Sequence, residues 1–113
     1  MKKEKSIKIG LDFDSTYTAD PLLWDLFIKK AISSGHEVKF VTIRYADPVN
    51  NNDILDAASK NKIEIIFSGM RQKANICEQI GWVPDIWIDD APETIPLRET
   101  LETMAEGCKR AGE

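Results

Sequence analysis

The chain has 113 residues, 42% of them hydrophobic and 30% charged, with a formal net charge of −4. That length suits one domain over 1–113 with a core at about 6–110, and the negative balance argues against strong non-specific binding to nucleic-acid backbones. No stretch is long enough to cross a bilayer, and "MKKEKSIKIG" is too short and interrupted for a signal peptide, so a cytoplasmic protein without a membrane partner is expected.

Ser6–Asp12 alternates loosely and closes in the apolar run "IGLD", which reads as a buried strand. "ADPLLWDLFIKKAISSG" then reads as a helix. Asp20 can cap its free amides, Pro21 suits its first position, and Gly35 suits the position just past its end. Leu22, Leu23, Leu26, Phe27 and Ala31 are its expected apolar face. "EVKFVTI" reads as a second strand that runs into the polar loop "RYADPVNNN". A short helix over about Asp53–Lys60 and a third strand, "IEIIF", follow. "SGMRQKANICEQIG" predicts a helix ended by Gly81, and "DIWIDD" a fourth strand. The segment "PETIPLRETLETMAEGCKR" predicts a closing helix with Leu97, Leu101, Met104, Ala105 and Cys108 on one face. Cys77 and Cys108 match no metal-ligand spacing and fall at core-like positions, which predicts buried free thiols.

Alternating strands and helices predict an α/β fold with a mainly parallel sheet and helices on both faces. Ligands of such sheets bind beyond the carboxyl ends of the strands. Three of the four predicted strands end in reactive or polar groups: Asp12 with Asp14, Thr42 with Arg44, and Asp89 with Asp90. These ends converge if the first strand is central and flanked by the second and fourth. Two like charges 4 Å apart repel by about 4 kcal/mol at an effective dielectric of 20, so clustered carboxylates call for a counter-ion. Mg²⁺ is a hard cation that takes one or two carboxylates, waters and phosphate oxygens, and it would relieve that repulsion. Thr42 offers a hydroxyl and Lys73 a point charge to phosphoryl oxygens, while Arg44 can reach the same cleft and bind a substrate phosphate or ribose. Asp20 is expected to cap its helix rather than to bind a ligand.

Taken in order, "LDFDST", "FVT", Lys73 within "RQKAN", and "IWIDDAPE" resemble the four motifs of the haloacid dehalogenase superfamily of phosphotransferases. The resemblance runs from about residue 7 to residue 95. It implies a three-layer α/β/α Rossmann-like fold with the first strand central. It also implies that Asp12 is the nucleophile, forming an aspartyl-phosphate, and that Asp14 protonates the leaving group and then activates water. By the same resemblance Mg²⁺ is held by the Asp12 carboxylate, the Asp14 backbone carbonyl, and Asp89 or Asp90. Thr42 and Lys73 then bind the transferring phosphoryl group.

Ser15 stands where the family often has glycine. Its amide is expected to help hold the phosphate, and a turn that needs a positive φ would be strained there. Only Tyr17–Asp20 separates the first motif from its helix, and one helix and one strand fill 43–72, so no cap domain is expected. The site is then open, which suits large substrates unless a partner subunit covers it, and a homodimer is left open. The reading is an Mg²⁺-dependent phosphomonoester hydrolase acting on a phosphorylated partner: a nucleotide, a nucleic-acid end or a sugar phosphate. The alternative is a catalytically silent binding or regulatory module of the same fold.

Overall fold

Within the strand Glu37–Thr42, Phe40 and Val41 are both fully buried. Neighbouring side chains on a strand point to opposite faces, so this strand is covered on both sides. The computed structural model, which describes residues 5–97, supplies both covers. Its elements are β1 (Lys8–Leu11), α1 (Pro21–Ser33), β2 (Glu37–Thr42), α2 (Asn52–Asn61), β3 (Ile65–Phe67), α3 (Lys73–Ile80) and β4 (Ile86–Ile88). Short 3-10 turns lie at Tyr17–Ala19 and Pro92–Thr94.

The four strands form one all-parallel sheet in the order β3-β2-β1-β4. β1 is therefore flanked by β2 and β4, and the three strand ends that carry chemistry lie side by side. Ile28 and Ala31 of α1 and Ile54, Ala57 and Ala58 of α2 pack on one face, against Ile9, Leu11, Val38 and Phe40. On the other face Cys77 of α3 and Trp82 pack against Val41 and Ile66. The described residues thus build a compact α/β domain with a Rossmann-like layering. No helix among them is long and apolar enough to cross a membrane.

Phe13, Tyr17 and Phe40 form an aromatic cluster beneath the turn after β1, with ring centroids 5.1 to 5.3 Å apart. Edge-to-face and stacked ring pairs add roughly 0.5–1.5 kcal/mol each beyond their burial, so the turn bearing Asp12 and Asp14 rests on a firm floor. Gly10 has a different necessity. A β-carbon there would lie 2.9 Å from Pro84 Cγ and 3.2 Å from the Trp87 ring, so only glycine fits without displacing the cover of β1.

Two expectations need correction. Leu22, Leu23 and Leu26 of α1 are exposed, at 75%, 52% and 68%. The buried stripe is Ile28 and Ala31, with Trp24 and Phe27 packed beside it. Spacings of three and four place Trp24, Phe27, Ile28 and Ala31 on one helix face, and that is the face packed against the sheet. Likewise α3 begins at Lys73 and not near Ser68. Gly69 and Met70 both have left-handed backbones, with φ of 60° and 64°, which no helix can continue through. The predicted closing helix, with Cys108, falls beyond the described residues.

The helix assignment is tested by paired truncations. Ile28→Ala is expected to cost about 2–4 kcal/mol in urea unfolding, whereas Leu26→Ala should change stability by no more than about 0.5 kcal/mol.

Candidate active site at the carboxyl ends of the strands

The Asp12 amide donates to the Ile88 carbonyl at 2.9 Å, so the first carboxylate leaves the chain while it is still tied to β4. The backbone then turns sharply. The amides of Tyr17 and Thr18 donate to the carbonyls of Asp12 and Phe13, and Ser15 adopts a φ of 65°. A non-glycine residue in that left-handed region carries roughly 1–3 kcal/mol of strain, as expected for serine in such a turn. The Ser15 amide donates to Thr18 Oγ1 at 2.9 Å and is thereby engaged within the turn.

Asp12 is buried, and Lys73, the first residue of α3, is only 1% exposed. The Lys73 ammonium donates to Asp12 Oδ1 at 2.8 Å and to Asp89 Oδ2 at 2.5 Å. The other Asp89 oxygen accepts the Ala91 amide at 2.9 Å. Thr16 closes the far side. Its hydroxyl accepts the Asp90 amide at 3.1 Å and lies 2.9 Å from Asp12 Oδ2 and 3.0 Å from Asp90 Oδ1. One hydroxyl proton can serve only one of those carboxylates at a time. Thr16 was not among the expected site residues, although it ends the D-x-D-x-T run and so carried the signal.

Burial pushes the Asp12 carboxyl up to about 6, against the pull of the Lys73 hydrogen bond. Asp90, hydrogen-bonded to Asp12 and Thr16, is held below the usual carboxylate range. Carboxylate oxygens of Asp12, Asp89 and Asp90 all lie within 4.8 Å of one another. Hard oxygen donors clustered in this way suit a small divalent cation such as Mg²⁺.

Asp14 points elsewhere. Its two oxygens accept from Arg44 Nε and Nη2 at 3.0 and 2.7 Å, and Arg44 also pairs with Asp53 at 2.7 and 2.9 Å. The guanidinium holds the Asp53 carboxyl at about 2. Thr42 is buried, and its hydroxyl accepts the Arg44 amide at 3.2 Å. A cavity of about 200 Å³ is lined by Asp12, Asp14, Ser15, Lys73, Asp89 and Asp90, with Ile43 rather than Thr42 on the β2 side. Six of the eight expected site residues therefore share one cavity. Asp20 instead caps α1, accepting the Leu23 amide at 3.2 Å.

Comparison with protein-family models, curated proteins and solved structures gives no match. The functional reading therefore rests on the side chains themselves. Size does not mark the site, since a groove of about 750 Å³ between α1 and the end of α2 contains none of the clustered acids and is lined largely by Leu22, Leu26, Ile28 and Ile32.

Replacing a buried cation strands its anions, so Lys73→Met should lower stability by about 3–5 kcal/mol in urea unfolding of the metal-free protein. The Arg44–Asp53 pair has its own pH signature. A carboxyl held at about 2 when folded, and near 3.9 when unfolded, adds stability above pH ~4 that is lost as pH falls toward ~2. Arg44→Met should flatten that part of the stability–pH curve.

Proposed function

We propose that the protein is an Mg²⁺-dependent phosphomonoester hydrolase acting through a phosphorylated Asp12, a small member of the haloacid dehalogenase superfamily without a cap domain. The observation that carries the reading is the Lys73 ammonium between Asp12 and Asp89. It joins residues of the first, third and fourth motif-like segments in one buried contact. Supporting it, only a 3-10 turn stands between β1 and α1, and only α2 stands between β2 and β3.

The donor set fits the ion the family implies. Asp12, Asp89 and Asp90 bring three carboxylates against the one ammonium of Lys73, which leaves room for added positive charge. When bound, Mg²⁺ would neutralise phosphoryl oxygens and offset the repulsion among these carboxylates.

The chain's own groups supply the remaining chemistry. A carboxylate oxygen of Asp12 attacks phosphorus, and the bond from phosphorus to the leaving oxygen breaks with its electron pair on that oxygen. Asp14 gives the leaving oxygen a proton. Water then attacks the phosphoryl group as Asp14 takes its proton, the phosphorus–Asp12 bond breaks, and the Asp12 carboxylate and inorganic phosphate are released. Lys73 fixes the orientation of Asp12 and can aim its remaining ammonium hydrogen at a phosphoryl oxygen. Thr16 can donate its one proton to the second Asp12 oxygen while it accepts the Asp90 amide, which keeps Asp90 beside Asp12.

Hydrolysis of an aryl phosphate with Mg²⁺ and with EDTA tests the reading. Turnover should need the metal, and Asp12→Asn should lower it at least about a thousandfold. Mg²⁺ at about 100 times its dissociation constant should raise stability by about 2.7 kcal/mol, and Asp89→Asn should weaken that effect. Metal-independent turnover that survives Asp12→Asn would sink the proposal.

A further inference from the structure

Arg44 was expected to bind a substrate phosphate, yet its guanidinium has no free donor. Nε and Nη2 reach the two Asp14 oxygens at 3.0 and 2.7 Å. Nη1 and Nη2 reach the two Asp53 oxygens at 2.7 and 2.9 Å. The remaining Nη1 hydrogen goes to Asn51 Oδ1 at 3.2 Å. An arginine has five N–H donors, and all are spent within the protein. The guanidinium carbon also lies 5.2 Å from the centre of the Phe13 ring, which holds the group against the aromatic floor.

The partners differ in how firmly they are held. Asp53 sits in the first turn of α2. Asn51, just before that helix, is only 3% exposed, and its side-chain amide donates to the carbonyls of Tyr45 and Asp47 at 2.9 and 2.6 Å. Asp14 is the loose partner, an exposed side chain on the strained turn at Ser15. An aspartate so exposed samples several rotamers unless something fixes it. Two parallel hydrogen bonds from a planar fork fix both its position and its plane.

We infer that Arg44 is a positioning residue and not a phosphate ligand: Asp53 and Asn51 anchor it from α2 and its entry loop, and it sets where the Asp14 carboxylate stands over the cavity. The inference rests on the proposed acid–base role of Asp14. It gives Asp53, at the start of α2, a role in that chemistry without contact with substrate.

Kinetics and an NMR signal together test it. With an aryl phosphate, Asp53→Asn should lower kcat about tenfold and leave KM within about twofold, because misplacement of a reacting group costs rate more than binding. Arg44→Lys should not restore the native rate, since a single ammonium cannot bridge two carboxylates as a planar fork does. Arg44→Met should cost nothing further in the Asp14→Asn background, as expected when one residue acts only through another. A KM raised by Arg44→Met in both backgrounds would mean direct phosphate contact and overturn the inference. The ¹⁵Nε–¹H resonance of Arg44 reads the clamp without turnover. It should move in Asp14→Asn and in Asp53→Asn but stay in place with inorganic phosphate and Mg²⁺. A resonance indifferent to both substitutions, or displaced by phosphate, overturns the clamp. If the resonance behaves as expected while the native protein hydrolyses nothing, the phosphatase reading falls alone.

Discussion

A lysine ammonium that is almost sealed from water, between the carboxylates of Asp12 and Asp89, is the constraint on which the rest of this structure turns. Desolvating three charged groups costs several kcal/mol each, and only close, well-aligned partners offset that cost. The partners come from β1, β4 and the start of α3, so the register between β1 and β4 and the late start of α3 must hold together. A slip at any of these points leaves a buried charge unmatched. The cluster is a weak stabiliser, since a well-packed apolar trio of similar volume is often as stable or more so.

The two aspartates of the first turn, although one residue apart, live in different surroundings. Asp12 points inward, shares its oxygens between an ammonium and a hydroxyl, and lies on the sheet floor. Asp14 points outward to a guanidinium near the mouth. Extended backbone would send residues two apart to the same side, so it is the turn after β1 that parts them. In this way one short turn separates a sheltered carboxylate, the proposed nucleophile, from one that solvent can reach, the proposed proton carrier. The aromatic cluster below holds that separation.

Much of this was legible in the sequence because it is local. The strand ends, the Asp20–Pro21 helix start and the Gly81 stop follow from short-range chemistry, and the structure agrees with them; the place of the first strand between the second and fourth, expected from the resemblance, is also what the sheet shows. The buried face of α1 was legible only in part, at Phe27 and Ala31. Leu22, Leu23 and Leu26 and the Trp24, Phe27, Ile28 and Ala31 stripe are both apolar, so periodicity alone does not choose between them. Thr42 and Arg44 were expected to point into the cleft because they leave a strand beside it. Thr42 is instead tied to the Arg44 amide, and the Arg44 partners Asp53 and Asn51 lie beyond a loop whose path spacing does not reveal. Thr16 closes the D-x-D-x-T run and so carried a local signal, but its link to Asp90 joins positions 74 residues apart and could not be read from it.

Cys77 adds a consequence for how the fold can be watched. The thiol is fully buried on the face of the sheet that α3 covers, and burial pushes it up to about 11, so at neutral pH it is a poor nucleophile in the closed state. The same helix begins with Lys73. Alkylation of Cys77 therefore waits for α3 to lift from the sheet, and its rate serves as a built-in clock for the opening that would also withdraw the ammonium from Asp12.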